Sequence, residues 1–276
     1  MKKFIILISI IFFGIQLSSC TYIFHNYNFT IPDFDDYKIE QIEYIDQINH
    51  FSISYEDIEE EILSTTIKAN IMVLNISYNA KNIFDTQEWS SGSGVIFYSN
   101  DDYYYALTNN HVVELYQGYN NQIIEIFDYD DNKYDGFIYE GSLNEEYDLA
   151  VVVFSKDSEA LSTIDIKSKN PIIGSKVIAI GNPLDERNVI TLGVVDYYNE
   201  TSITDKYDEV KINDWKAIVY TARTDHGSSG CMVIDYTLQL VGVHFAGNED
   251  GSDYNSYAIP VQIINEYLLN WVYVVN

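Results

Sequence analysis

Positive charge is scarce in this chain. Fifteen Lys and Arg stand against 42 Asp and Glu, a formal net charge of −27, and the only arginines are Arg187 and Arg223. A chain so balanced repels phosphate backbones and anionic lipid surfaces, so nucleic-acid binding is excluded as its main role. Cysteine is nearly absent: Cys20 and Cys231 are the two among 276 residues. No disulfide framework can staple the fold, and a buried core must hold it. The five histidines are dispersed, with no close His/Cys/carboxylate cluster, so neither a metal nor a cofactor is expected. Beyond the N-terminus no apolar run is long enough to span a bilayer. What is plentiful is apolar and aromatic surface, 47% and 15% of residues, which excludes a disordered chain.

The first nineteen residues read as a secretory signal: Lys2 and Lys3, an apolar run from Phe4 to Phe13, then small residues. Leu17-Ser18-Ser19-Cys20 also matches a bacterial lipobox, in which the cysteine is lipidated and becomes the mature N-terminus. An ordinary signal peptide and an uncleaved anchor are the alternatives. The expected product lies in the cell envelope, on the outer face of the cytoplasmic membrane and held there only by lipid on Cys20, or is secreted if Cys20 is not lipidated. Residues 20–62 read as a tether and a lead-in helix starting near Ser54. Glu59-Glu60-Glu61 forms an acidic run there.

From Thr66 onward, short apolar or alternating runs are punctuated by turns such as Asp130-Asp131-Asn132 and Gly181-Asn182-Pro183. Eleven strands are expected, at 67–76, 94–98, 103–108, 123–127, 149–154, 177–180, 189–195, 217–220, 231–234, 238–245 and 256–259. So many short strands without a long helical period predict an all-β barrel or sandwich. Val261, Ile264 and Leu268 fall at helical spacing after Pro260, which predicts a C-terminal helix. The polar segment near 155–170 divides the strands into residues 63–160 and 161–276, with a cleft between them.

Ser229 sits between glycines just before the apolar run Met232-Val233-Ile234, a setting that exposes a hydroxyl and bare amides. A serine nucleophile needs a base and a carboxylate to orient that base. His111 follows the strand ending at Thr108, and Asp148 opens the apolar run 149–153, which supplies both. Cys231 reads as a small buried apolar residue rather than a second nucleophile.

The segments Ser91-Gly92-Ser93-Gly94, Thr108-Asn109-Asn110-His111-Val112, Tyr147-Asp148-Leu149-Ala150, Gly181-Asn182-Pro183, Gly227-Ser228-Ser229-Gly230 and Ala258-Ile259-Pro260 resemble, in the same order, those of chymotrypsin-fold serine proteases of the HtrA type. The resemblance implies two Greek-key β-barrels of the chymotrypsin type with a C-terminal helix. It further implies a triad of His111 as general base, Asp148 as its orienter and Ser229 as nucleophile, with the amides of Gly227 and Ser229 forming an oxyanion hole. A polypeptide is the implied substrate. A lipoprotein that keeps the barrels as a binding or chaperone module without turnover is the competing expectation. Three departures stand out: no PDZ-like segment follows the last helix, Cys231-Met232 replaces the usual Gly-Pro, and Ser228 precedes the nucleophile. Regulation by a PDZ domain is therefore not expected. Nor can Ser228 pair with a newly cut N-terminus as an Asp would.

The spacing of Thr224 and His244 around the nucleophile, and the run Val243-His244-Phe245-Ala246-Gly247, are similar to those of glutamyl endopeptidases of the same fold. With Arg223 and His226 beside them, these residues are expected to form a pocket for an acidic side chain before the scissile bond. Phe245 and Gly247 are expected to lie along the substrate backbone.

Overall fold

A computed structural model describes residues 53–79, 87–156, 161–204, 210–250 and 253–269. The expected signal peptide, Cys20 and most of the expected tether lie outside these residues. Twelve strands close into two six-stranded antiparallel barrels. The first barrel is ordered β1-β2-β3-β6-β5-β4, from β1 (Asn70–Tyr78), β2 (Glu88–Ser99), β3 (Tyr103–Thr108), β4 (Asn121–Phe127), β5 (Lys133–Ile138) and β6 (Ala150–Ser155). The second is ordered β10-β11-β12-β9-β8-β7, from β7 (Lys176–Gly181), β8 (Val189–Thr204), β9 (Val210–Tyr220), β10 (Met232–Asp235), β11 (Leu240–Asp250) and β12 (Asp253–Pro260). The all-β expectation of two barrels with a C-terminal helix is met.

The burial of each strand follows its residues. β6 is a continuous apolar run and is buried along Ala150–Phe154, as is β10 along its whole length. Such strands cannot alternate, because both faces meet protein. By contrast β5, with Lys133 and Asp135 on one face, alternates between exposed and half-buried residues. That weak apolar signal is why the sequence reading omits it. β8 and β9 also run well past the expected 189–195 and 217–220, pairing as far as Thr204 and Val210. The expected strand from Ile67 begins instead with a 3₁₀ turn at Thr66–Ala69.

Three helices accompany the barrels among the described residues. In α1 (Tyr55–Ser64), the Asp57 carboxylate accepts the Ser54 N–H at 2.8 Å, closing the first turn. Glu59, Glu60 and Glu61 lie inside this helix, so their backbone groups are engaged and the segment cannot add to a cleft as a strand without unwinding. α2 (Asn110–Val113) is a single turn after β3. α3 (Val261–Leu269) buries Val261, Ile264 and Tyr267. Tyr267 reaches the first barrel, donating its hydroxyl to the Ser142 carbonyl at 2.6 Å.

Polar pairs join the barrels where the cleft opens. Asn182, buried after β7, donates its Nδ2 to the Ile71 carbonyl of β1 at 2.9 Å and accepts the Asn70 amide at 3.1 Å. A buried side-chain amide left unpaired would cost about 1–3 kcal/mol, so these bonds fix the join between barrels.

Candidate active site

The register of β3 against β6 pairs Thr108 with Ala150, so the residues just beyond these ends meet in space. After Thr108 the chain turns into α2, which carries His111. Ser90 of β2 donates to the Val112 carbonyl at 2.8 Å and Asn75 of β1 donates to the Glu114 carbonyl at 2.8 Å, so this one-turn helix is tied to the sheet. Asp148 precedes β6 in left-handed backbone, φ 52°, with its carbonyl accepting the Asn109 side-chain amide at 2.9 Å. Its carboxylate is buried and doubly bonded to His111: Oδ2 lies 2.8 Å from Nδ1, and Oδ1 accepts the backbone N–H at 3.0 Å. An ionised carboxylate only accepts, so Nδ1 carries the hydrogen and Nε2 of the neutral ring is left as a base. Lost solvent around the ring pulls the His111 pKa down. The charge and hydrogen bond of Asp148, with a smaller effect of Glu114, outweigh that loss and hold the pKa above the ordinary 6.5.

The serine turn is built almost wholly from backbone bonds. Ser228 N–H donates to the Asp225 carbonyl at 2.9 Å, Cys231 N–H to the Ser228 carbonyl at 2.8 Å, and Gly230 N–H to the His244 carbonyl at 2.8 Å. Gly227 and Gly230 bracket Ser229 with φ of 91° and 86°, a region that side chains with a Cβ rarely adopt. A Cβ on Gly230 would also sit 2.0 Å from the Ser93 carbonyl oxygen. Ser228 is buried, and its hydroxyl accepts the Asp225 N–H at 3.1 Å. It thus closes the turn from inside, a role the sequence reading did not give it.

Two peptide planes set the direction of the free amides. The His226 carbonyl accepts the Leu184 N–H at 2.7 Å and the Ser228 carbonyl accepts that of Cys231. In a trans peptide the N–H points opposite its carbonyl, so the amides of Gly227 and Ser229 face away from these anchors. Neither amide has a hydrogen-bond partner among the described residues. Ser93 of β2 grips the turn from the other barrel: its N–H donates to the Ser229 carbonyl at 2.7 Å, and its hydroxyl donates to the Gly227 carbonyl at 2.9 Å while accepting the Asn182 N–H at 2.8 Å. The Ser-Gly-Ser-Gly motif flags this segment, but the contact spans 134 residues and no spacing reveals it.

His111, Ser229, Gly227, Arg223, Thr224, His226, His244, Phe245 and Gly247 all line one cleft of about 760 Å³. Every site residue read from the sequence within the described region borders this cleft, apart from Asp148, which lies buried behind His111. Thr224 and His244 are buried, whereas Arg223 and His226 are exposed. The Thr224 hydroxyl lies 2.9 Å from that of Ser256, which donates to the Ala222 carbonyl at 2.7 Å. His244 Nδ1 lies 2.9 Å from the Tyr220 hydroxyl. Burial, reinforced by His111, pushes the His244 pKa down to about 3, with the Tyr257 carbonyl opposing weakly. It is a neutral ring at physiological pH. β10 pairs with β11 only as far as Val243, so the β11 edge at Phe245–Gly247 is not covered by β10. Phe245 is steadied by edge contacts with Trp215 and Tyr257, ring centroids 5.9 and 6.5 Å away. Leu184 and Asp185 also line the cleft, unanticipated from the sequence. Among the described residues no group of three or more His, Cys, Asp or Glu is placed to hold a metal.

The chain is 28% identical over 228 residues to the serine protease Do-like HtrB of Bacillus subtilis (strain 168), covering 74% of this chain and 43% of that protein. It is 29% identical over 212 residues to the serine endoprotease DegS of Haemophilus influenzae, covering 72% and 56%. The chain spans from about a fifth to just over half of the length of the curated relatives it matches. Among solved structures, the active form of the Rv3671c protease from M. tuberculosis shares its fold, with a TM-score of 0.58 at 18% identity over 76% of this chain and 85% of that one. The profile described as a trypsin-like peptidase domain matches residues 92–243. With just over half of its length matched, and two barrels enclosing the cleft, the chain is a member of the trypsin-like peptidase domain family.

Proposed function

We propose that the protein is a serine endopeptidase that cleaves polypeptides through an acyl-enzyme. The observation that carries this reading is the His111–Asp148 pair, bonded at 2.8 Å, on a cleft that also holds Ser229 and two amides without partners. His111 Nε2 takes the Ser229 proton as Oγ attacks the scissile carbonyl, and the Gly227 and Ser229 amides hold the resulting oxyanion. His111 then passes that proton to the leaving amine. Water, activated in the same way, releases the acyl half. The uncovered β11 edge from Phe245 to Gly247 receives the substrate backbone as an added strand.

The pocket favours Glu, and by extension Asp, before the scissile bond. Its floor is polar but uncharged: His244 is neutral and lies beside the Tyr220 hydroxyl, and Thr224 lines the same cleft. Arg223 at the rim adds positive charge. In a mapped digest of an unfolded polypeptide, the wild-type chain is expected to cut mainly after Glu and Ser229→Ala not at all. Cuts mainly after aliphatic or basic residues refute the acidic pocket. No cuts by the wild type favour a binding module. His244→Ala is expected to lower kcat/KM for Glu peptides more than for others.

Cys20 is the lipid attachment point in this reading, placing the catalytic barrels outside the cytoplasmic membrane. The support is the Leu17–Cys20 pattern in the sequence, together with relatives whose names include a probable periplasmic serine endoprotease. Among the described residues no helix is long and apolar enough to cross a membrane. Cys20→Ser should release the protein from membranes or leave it as a larger precursor; unchanged partitioning and migration refute lipidation.

A further inference from the structure

Two consecutive residues on the cleft wall, Leu184 and Asp185, hold left-handed backbone, with φ of 52° and 62°. Side chains with a Cβ resist that region, and leucine gains nothing there from local hydrogen bonding. Such backbone persists only where the surroundings enforce it. Here they do: Leu184 N–H is fixed to His226, Glu186 N–H donates to the Pro183 carbonyl at 2.8 Å, and Asn188 N–H donates to the Asn182 side chain at 3.1 Å. From the first barrel, Asp131 lies 2.8 Å from Arg187 Nε, and the Phe127 ring centroid lies 5.1 Å from the guanidinium.

The outcome of this strain is a surface, since Leu184 is 63% exposed and the Asp185 carboxylate has no partner among the described residues. Arg187, two residues along, is paired with Asp131 instead. The side of the scissile bond follows from the chemistry. The acyl half lies on Phe245–Gly247 with its side chain toward Thr224 and His244. The leaving amine takes its proton from His111 and departs along the wall of Ser90, which is bonded to the His111 helix. Leu184 and Asp185 line the same cleft on the segment bonded to His226, and this reading assigns them to the departing half.

We propose that Leu184 and Asp185 form a leaving-side subsite for a cationic side chain, selecting substrates with Lys or Arg in the first two positions after the scissile bond. The aliphatic stem packs on Leu184 and the charged end meets Asp185. The strong negative charge of the chain draws such substrates in. This inference rests on the endopeptidase reading above.

The test uses the full chain and internally quenched peptides built on a sequence it cleaves, with Lys, Gln or Glu at the first or second leaving position. At low salt, kcat/KM for the Lys peptide should exceed that for Glu by about two- to fivefold, the range of an exposed ion pair, and the ratio should shrink as salt rises. Asp185→Asn should remove the preference and Asp185→Lys should invert it, a result that misfolding cannot produce. Equal rates for Lys, Gln and Glu, or an unchanged preference in Asp185→Lys, overturn the subsite. Fluorophosphonate labelling in parallel separates the two readings, because that reagent carries no leaving peptide. If labelling depends on Ser229 but the peptide rates are equal, the subsite alone fails; if no labelling depends on Ser229, the endopeptidase reading fails beneath it.

Discussion

The hydroxyl of Ser93, on the first barrel, donates to the carbonyl of Gly227 on the second at 2.9 Å and accepts the amide of Asn182 at 2.8 Å. One side chain thus ties the serine turn to the segment whose Leu184 amide orients the His226–Gly227 peptide. Ser93→Ala leaves a carbonyl and an amide unpaired. It should lower the unfolding free energy by about 1–3 kcal/mol and reduce kcat more than it raises KM. Denaturant melts together with steady-state kinetics check both; a change in KM alone contradicts a role in positioning the serine turn.

The His111 pKa lies above 6.5 because Asp148 stabilises the imidazolium more than lost solvent disfavours it. A protonated ring cannot accept the Ser229 proton, so kcat/KM should be low in acid and rise through a pKa above 6.5. Asp148→Asn removes the charge that holds the proton and the acceptor that fixes the tautomer. The rising limb should move to lower pH and kcat should fall by about 10⁴. A pH–rate series on both proteins reads this directly.

His244 titrates in the opposite sense. Its folded pKa of about 3 lies below the unfolded value of 6.5, so between these values the unfolded chain binds a proton that the native chain does not. Its contribution to stability is full above pH 6.5 and is lost as pH falls toward 3, with a slope approaching about 1.4 kcal/mol per pH unit. In His244→Phe that part of the acid slope should disappear, which chemical denaturation at several pH values tests.

Gly230→Ala forces a Cβ into left-handed backbone and to within 2.0 Å of the Ser93 oxygen. A loss of more than about 2 kcal/mol is expected, together with loss of activity, because the turn and the barrel contact must both move. Thermal melting and a peptide assay suffice to check it.

Cys231 is buried, and burial pushes its thiol pKa well up. Without accessible thiolate it should resist iodoacetamide in the native protein and react on unfolding. Inhibition by brief native alkylation contradicts this assignment.

The fold, and the residues that the structure brings to the cleft, were legible in the sequence because their signals are local. Apolar runs such as 149–154 and 231–234 mark buried strands, and glycines at 227 and 230 mark the turn. β5 was not legible: its residues are at most half-buried, and it exists because β4 and β6 offer it hydrogen-bonding edges. The polar reaches of β8 and β9 are likewise sustained by pairing with each other. Ser93, Asn182 and Leu184 were missed as positioning residues because each acts through a partner more than 40 residues away. Arg223 was grouped with Thr224 and His244 on spacing, whereas burial separates the exposed arginine from the other two.

The central claim is that Ser229 is a nucleophile activated by His111 and Asp148. It is tested most directly by reacting the full chain with a fluorophosphonate and locating the adduct by peptide mass. The predicted result is one adduct per chain, on Ser229, formed far more slowly in His111→Ala and Asp148→Asn. An adduct on another residue, or labelling of Ser229 at the same rate in all three proteins, would contradict it.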